Sequence, residues 1–279
     1  MNRYWFDKYS VFLSRYWLYI PLIAMAIFYL LPMYVIIITG FKSFAEIDLK
    51  TMWDLPKGIA FDNYVEAWTK LSPSLRNSFL MVIPATLISS ALGSLNGYVL
   101  AKWKFRGADL IFPLILFGMF IPYQSIMIPL VQFMNGAGIS GLPGLALAHI
   151  IYGIPITTLT FRNYYASLPQ ELLEAAKMDG ADMLGIYRHI LLPISLPSFV
   201  VVLIWQFTSA WNDFLFAVIL TGNREWPITV ALNNMAGSQI ISWNVQMAGS
   251  LLAALPTLLV YILLGRYFLR GLLAGSLKG

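Results

Sequence analysis

The chain has 279 residues, of which 59% are apolar and 11% charged, with a net charge of +5 and no cysteine. A soluble domain carries about a quarter charged residues, so this chain lacks the polar surface of a water-facing globule, and its charges sit in short stretches between long gaps. Soluble enzymes, disordered chains and nucleic-acid modules are excluded despite the basic balance, as are disulfide frameworks and thiolate chemistry; a polytopic membrane protein remains.

The N-terminal segment 1–18 carries Arg3, Lys8 and Arg15. Between Arg15 and Lys42 lie 26 uncharged residues, and a bilayer core takes about 20 apolar residues as a helix, so the first span is expected at 19–40. The run is too long for a signal-peptide h-region and no small-x-small cleavage site follows, so it reads as a retained span. A loop over 41–76 comes next. The 25 uncharged residues between Arg76 and Lys102 hold the second span. From Asp109 to Arg162 there is no Asp, Glu, Lys or Arg for 52 residues, enough for a third and a fourth span. The turn chemistry of Asn135–Gly144 divides them. A fifth span starts near Pro193 and runs to about Leu220, and a sixth covers roughly Met247 to Phe268. The expected fold is all-α, with six transmembrane helices. A core over 77–270 holds five of them, and a tail over 271–279 follows.

Twelve Lys and Arg residues fall on the side of the two termini and six on the other, which places both termini in the cytoplasm. No internal repeat is evident, so any two-fold symmetry comes from a second chain. Ionisable residues inside the spans are scarce. Asp213, in Ser209-Ala-Trp-Asn-Asp-Phe214, is the one acidic residue within an apolar span. It either lines a pore, with Trp211 and Asn212 beside it, or sits near the outer interface satisfied by backbone or Asn212. His149 stands alone in the fourth span and reads as a hydrogen-bonded packing residue. No Asp, Glu or His cluster has metal-ligand spacing and no phosphate-cradling glycine loop is present, so no catalytic residue, metal or cofactor is expected on this chain. A membrane enzyme would need convergent carboxylates or histidines at the cytoplasmic face. A secondary transporter would want an inverted repeat and coupling-ion carboxylates.

The segment between the fourth and fifth spans, 167–192, reads as two short helices joined by a sharp turn. Ser167 and Gln170 form a capping-box pattern with Pro169 in the first turn. Glu171 and Glu174 suit the positive end of the helix dipole, Gly180 can take the left-handed conformation that ends a helix, and Asp182 can cap the next. Asp179 can brace the turn by hydrogen-bonding backbone N–H groups. Ala175, Ala176 and Ala181 keep the projection slim, and Met178, Leu184, Ile186 and Tyr187 offer apolar contact area. From the residues alone this is either a docking surface or a hairpin lying on lipid headgroups. The loop from Gly222 to Trp243, with Asn233, Asn234, Gly237, Ser238 and Gln239, either reaches an external protein or folds over a pore mouth. The tail Gly275-Ser276-Leu277-Lys278-Gly279 either forms an extended strand with close backbone approach or frays.

Glu174-Ala-Ala-x-x-Asp-Gly-Ala181 followed by Ile190-Leu-Leu-Pro193 resembles the EAA loop of binding-protein-dependent ABC importer permeases. Asn63-Tyr-x-x-Ala-Trp68, Asn77-Ser-Phe79, Trp211-Asn-Asp-Phe214 and the C-terminal run from Arg266 to Gly279 resemble the second permease subunit of maltose-type sugar importers. The resemblance implies the type I importer permease fold, with the 167–192 segment as a coupling helix docked on a cytoplasmic ATPase through Glu171, Glu174, Met178 and their neighbours. It also implies a homologous partner permease and two ABC ATPase subunits that hold the ATP and Mg. An extracytoplasmic solute-binding protein, met by the 222–243 loop, would deliver a sugar across the plasma membrane of a prokaryote. The tail 275–279 would reach between the ATPase subunits. Ala231–Gln239 looks more like hexose or short-glucoside permeases than polyol phosphate ones.

Overall fold

In hydrocarbon a backbone has no water to bond with, so long apolar stretches must satisfy their own N–H and C=O groups as helices. The computed structural model describes residues 16–237 and 241–276, with side chains described as far as Tyr267, and these residues form helices and turns and no strand. In chain order the helices are α1 (Tyr19–Gly40), α2 (Asp62–Lys102), α3 (Ala108–Phe117), α4 (Tyr123–Gly136), α5 (Gly141–Ala166), α6 (Glu171–Met178), α7 (Met183–Ile194), α8 (Leu196–Trp211), α9 (Leu215–Leu220), α10 (Ile228–Ala236) and α11 (Trp243–Ser276). Helices α1, α2, α5 and α11 are each long and apolar enough to cross a membrane. Two further pairs qualify together but are bent, Ala108–Phe120 with α4 by 100° and α7 with α8 by 76°. Counting each bent pair as one span gives the six that the sequence leads one to expect.

Three departures from the expected spans have local causes. Helix α2 starts at Asp62, inside the stretch expected as loop to residue 76, because Asn63, Ala67, Leu71, Ser74 and Ser78 recur at helical spacing as a buried face. The third span breaks at Ile121-Pro122, where Pro122 has no N–H and forces Ile121 into an extended conformation, φ −75° and ψ 115°. The fifth span is interrupted twice, at Ser195 and again at Asn212–Phe214, so that α8 and α9 are separate helices.

The chain divides into two compact units, Met1–Lys70 with Met235–Leu252 and Leu71–Asn234 with Ala253–Gly279. In the first, Asn63 Nδ2 donates to the carbonyls of Gly40 (2.9 Å) and Lys42 (2.8 Å), and Asn63 Oδ1 accepts from Asn244 Nδ2 at 2.8 Å. Tyr64 and Met235 pack on Ala67, Val245 and Ala248. In the loop after α1, the Lys57 N–H and the Ser43 hydroxyl both donate to the Glu46 carboxylate, which holds its pKa below the ordinary value.

In the second unit α2 and α5 approach closely through Gly93 and Gly97, a small-xxx-small pair of the kind that lets membrane helices touch backbone to backbone. A Cβ on Gly97 would lie 2.6 Å from the Arg162 backbone nitrogen and 2.8 Å from Phe161 Cβ. Below this contact is a buried hydroxyl chain. Tyr187 donates to Ser94 Oγ at 3.0 Å, Ser94 and Tyr165 share a 2.7 Å bond, Tyr165 donates to Ser195 Oγ at 3.1 Å, and Ser195 donates to the Leu192 carbonyl at 3.0 Å. With Ser94 donating to Tyr165, all four hydroxyls donate, and Ser94, Tyr165 and Ser195 also accept. The network thereby ties α2, α5 and α7 to the bend at Ser195. Tyr165→Phe removes the central link and takes one of the two hydrogen bonds from each of Ser94 and Ser195, so it is expected to destabilise the chain by about 1–3 kcal/mol. Thermal unfolding in detergent checks this, with the exposed Tyr29→Phe as an unaffected control.

Candidate functional site

Two features of the second unit stand out: an exposed hairpin formed by α6 and the start of α7, and a cavity with several polar groups at the break between α8 and α9.

The hairpin is built by backbone chemistry. Gly180 has φ +81°, its N–H donates to the Lys177 carbonyl at 3.0 Å, and the Ala181 N–H reaches back to the Ala176 carbonyl at 2.9 Å. These two bonds close a Schellman turn, which requires a left-handed residue at that place. Asp182 then caps α7 through the Gly185 N–H at 2.7 Å, as expected. The turn itself is closed by backbone bonds alone, and the Asp179 side chain, expected to brace it, makes no hydrogen bond among the described residues. The expected capping box at Ser167 and Gln170 does not form. Ser167 ends α5 instead, its hydroxyl donating to Tyr164 at 2.8 Å, and α6 starts at Glu171 without a side-chain cap.

One face of the hairpin is sealed to the chain. Leu173, Ala176, Ile186 and Tyr187 are buried among Tyr98, Phe161 and Tyr165, so Ala176, Ile186 and Tyr187 serve the chain's own core. The Lys102 ammonium donates to the Leu168 carbonyl at 2.7 Å, and Lys177 lies 4.7 Å over the Trp103 ring. The other face is open. Glu171, Glu174, Ala175, Asp179 and Gly180 are exposed, Ala181 is half-buried, and Met178 and Leu184 are 88% and 64% exposed. Three acidic side chains, a protruding methionine and a left-handed glycine thus share one outward surface on a rigid base.

The cavity has a volume of about 580 Å³ and is lined from α5 by His149, Tyr152, Gly153 and Ile156 and from α8 by Trp205, Gln206 and Ser209. Asn212, Asp213, Phe214 and the start of α9 close one side, with Met119 and Tyr123 on another. Asp213 makes the break possible. Its carboxylate accepts from the Ala217 N–H at 3.0 Å and the Phe216 N–H at 3.5 Å, while its carbonyl accepts from Thr229 Oγ1 at 2.7 Å. Asn212 Nδ2 returns to the Thr208 carbonyl at 3.0 Å. Backbone groups freed by interrupting a membrane helix are thus bonded again next to a cavity, where irregular backbone is tolerated. His149 is not alone: its Nε2 lies 3.4 Å from Asp213 Oδ2, with the two side chains 8% and 13% exposed. The two groups lie within ion-pairing distance but are not aligned for a hydrogen bond, and Nε2 has no hydrogen-bond partner among the described residues. Gly153 leaves room for Gln206, whose amide donates to the His149 carbonyl at 3.0 Å. Phe216 stands with Tyr123, Tyr152 and His149 around it at centroid distances of 5.3, 5.1 and 5.9 Å.

The three consecutive residues singled out from the sequence part company here. Asn212 and Asp213 line the cavity, whereas Trp211 is 2% exposed and is not part of the lining. Its indole N–H donates to the Ala253 carbonyl in α11 at 3.0 Å, and its ring stacks on Phe207 and meets Phe79 edge-on. The Asn77-Ser-Phe79 stretch has a physical role in the same region. Asn77 Nδ2 donates to the Arg224 and Trp226 carbonyls, and Ser78 Oγ accepts from the Ile228 N–H at 2.8 Å, fastening the segment before α10. The stretch expected as loop over 222–243 contains α10. Asn233, Asn234 and Gly237 are exposed, and Asn234 turns back on the Val230 carbonyl. Ser238 and Gln239 lie outside the described residues. In the tail, Gly275 and Ser276 continue α11 as helix and not as strand, and Leu277, Lys278 and Gly279 lie outside the described residues.

Residues 89–272 match the family described as "binding-protein-dependent transport system inner membrane component". The chain is 47% identical to a probable ABC transporter permease protein of Pyrococcus horikoshii, over 95% of this chain and 98% of that one. It is 37% identical to a xylose/arabinose import permease protein of Haloferax volcanii, over 88% and 87% of the two chains. A glucose import system permease protein of Saccharolobus solfataricus is 32% identical, over 94% and 95%. Among solved structures, a chain of a bacterial ABC transporter involved in the import of the acidic polysaccharide alginate superposes with a TM-score of 0.77 at 23% identity, covering 96% of this chain and 99% of that one.

Proposed function

Because the chain belongs to the family of binding-protein-dependent transport system inner membrane components, we propose that it is one of two homologous permease subunits of an ABC importer for a neutral sugar. The partner permease completes the pathway, two ATPase subunits beneath bind ATP and Mg, and an extracytoplasmic binding protein delivers the solute. The chain itself performs no catalysis and holds no cofactor. One observation carries this reading: the 167–192 hairpin is anchored on its inner face and open on its outer face, which is what a docking surface requires. A hairpin lying on headgroups would not need Glu171, Glu174 and Asp179 on the same face as Met178. Sugar as the solute draws on the relatives named for xylose, arabinose and glucose, and a hexose or short glucoside fits the Ala231–Gln239 likeness.

In this arrangement the hairpin and both termini are cytoplasmic. Asn212 and Asp213 border the translocation path, and Trp211 holds the helix break in place. Asn233, Asn234 and Gly237, with Ser238 and Gln239, meet the binding protein, and the 275–279 tail reaches the ATPases. Reporter fusions check the sidedness: one after Gly279 is expected to report cytoplasm, and one between Asn135 and Gly144 the outside. The function is tested by labelled-sugar uptake into proteoliposomes holding both permeases and the ATPases, with binding protein and ATP supplied. Uptake that requires this chain, ATP and the binding protein is expected. Uptake without ATP, or none across a panel of pentoses, hexoses and disaccharides, overturns the reading.

A further inference from the structure

We propose that this chain carries its own subsite for an uncharged, hydroxyl-rich solute in the cavity beside the α8–α9 break, with His149 and Asp213 at its centre. The proposal rests on the sugar-import reading and adds a ligand site on this subunit to it.

The argument starts from the unspent polar groups. His149 is nine-tenths buried, lines the cavity, and its Nε2 has no hydrogen-bond partner among the described residues. Leaving such a buried group without a hydrogen bond is costly. Asp213 Oδ2 lies 3.4 Å away without closing a bond and already accepts from the α9 backbone. A solute hydroxyl can accept from an imidazole N–H and donate to a carboxylate at the same time. A cation would be repelled by an imidazole N–H, and an anion by the carboxylate. The rest of the lining has the same character. The hydroxyls of Tyr123 and Tyr152 make no bond among the described residues, Ser209 and Asn212 are exposed, and the rings of Tyr123, Tyr152 and Trp205 offer flat faces for the C–H side of a sugar ring. No Lys or Arg lines the cavity, which disfavours acidic and phosphorylated solutes. The volume of about 580 Å³ falls within the range of small-molecule sites.

The test uses the assembled importer in nanodiscs without binding protein. Ser209→Cys introduces a thiol into a chain that has none, and its modification by N-ethylmaleimide is followed on this chain by mass spectrometry. D-glucose, D-xylose, L-arabinose and maltose are the probes. The transported sugar is expected to slow the modification. Asp213→Asn is expected to raise the half-protecting concentration about tenfold or more, the scale of a charged hydrogen bond. Tyr152→Phe, which keeps the ring and its packing, is expected to raise it severalfold, and co-purified ATPase shows that each variant assembles. If the wild-type importer moves sugar but Ser209→Cys is unprotected by it, the subsite is refuted and the import reading stands. A thiol that stays unreactive with or without sugar means that the partner permease covers the cavity, and also refutes the subsite. If no sugar in the panel is imported, the import reading itself fails and takes the subsite with it.

Discussion

Gly97→Leu is expected to prevent the second unit from packing. The added Cβ would sit 2.6 Å from the Arg162 backbone nitrogen, a separation that no rotamer change relieves because the obstacle is main chain. The helices must move apart, and Gly93 and Thr157, which touch one turn further along, move with them. Overpacking typically costs about 1–3 kcal/mol when side chains can yield. Here backbone must yield, so the loss is expected at or above about 3 kcal/mol. The hydroxyl chain through Ser94 and Tyr165, which spans the same two helices, is broken as well. Thermal unfolding and protease resistance of the purified chain measure the loss. Gly136→Ala is the control, since nothing lies within 4 Å of a Cβ there, and it is expected to stay within about 0.5 kcal/mol of the parent.

Gly180→Val and Glu174→Lys are expected to have the opposite profile: a stable chain and a failed importer. No atom lies within 4 Å of a Cβ at Gly180, so valine meets no clash. Its cost is the left-handed backbone at φ +81°, on the order of 1–2 kcal/mol for a side-chain-bearing residue. The turn relieves that cost by rearranging, while Leu173 and Ala176 stay anchored beneath it. The Glu174 side chain is exposed and makes no hydrogen bond or ion pair among the described residues, so reversing its charge is expected to leave chain stability within about 0.5 kcal/mol. Neither change reaches the buried core, so a loss of uptake reports a partner at this face. Sugar uptake is expected to fall at least tenfold for both variants, with co-purified ATPase reduced or its hydrolysis uncoupled from uptake. Wild-type uptake in both would mean that the hairpin carries no coupling.

What the sequence disclosed and what it concealed follow from the range of the interactions involved. The number of spans was legible because bilayer thickness fixes how long an uncharged run must be. Gly180 and Asp182 were legible because a helix stop and a helix cap are settled within five residues. Charge placement marked the start of α2 poorly, because a polar helix before a span looks like a loop unless its buried face at Asn63, Ala67 and Leu71 is traced. The break at Pro122 was written in the sequence but is invisible to an average over a long apolar run. His149 and Asp213 each look solitary in their own spans. Only the packing of α5 against α8 and α9 makes them a pair, and the same holds for Ser94, Tyr165, Tyr187 and Ser195. Trp211, Asn212 and Asp213 are neighbours in sequence, yet the helix ends between them, so the tryptophan anchors one side while the other two open on the cavity. Ile186 and Tyr187 carried the same apolar signal as Met178 and Leu184, and burial alone separates core from contact surface.

The central claim is that the outward face of the 167–192 hairpin is where this chain meets its ATPase. The chain has no cysteine, so Met178→Cys places a single thiol at the exposed tip of the hairpin. In membranes holding the complete importer, a maleimide–benzophenone attached to that thiol is expected on illumination to join this chain to an ATPase subunit, with no second thiol needed, and the yield is expected to change when ATP is added. An importer that carries Met178→Cys, takes up sugar normally and gives no such cross-link would contradict the account.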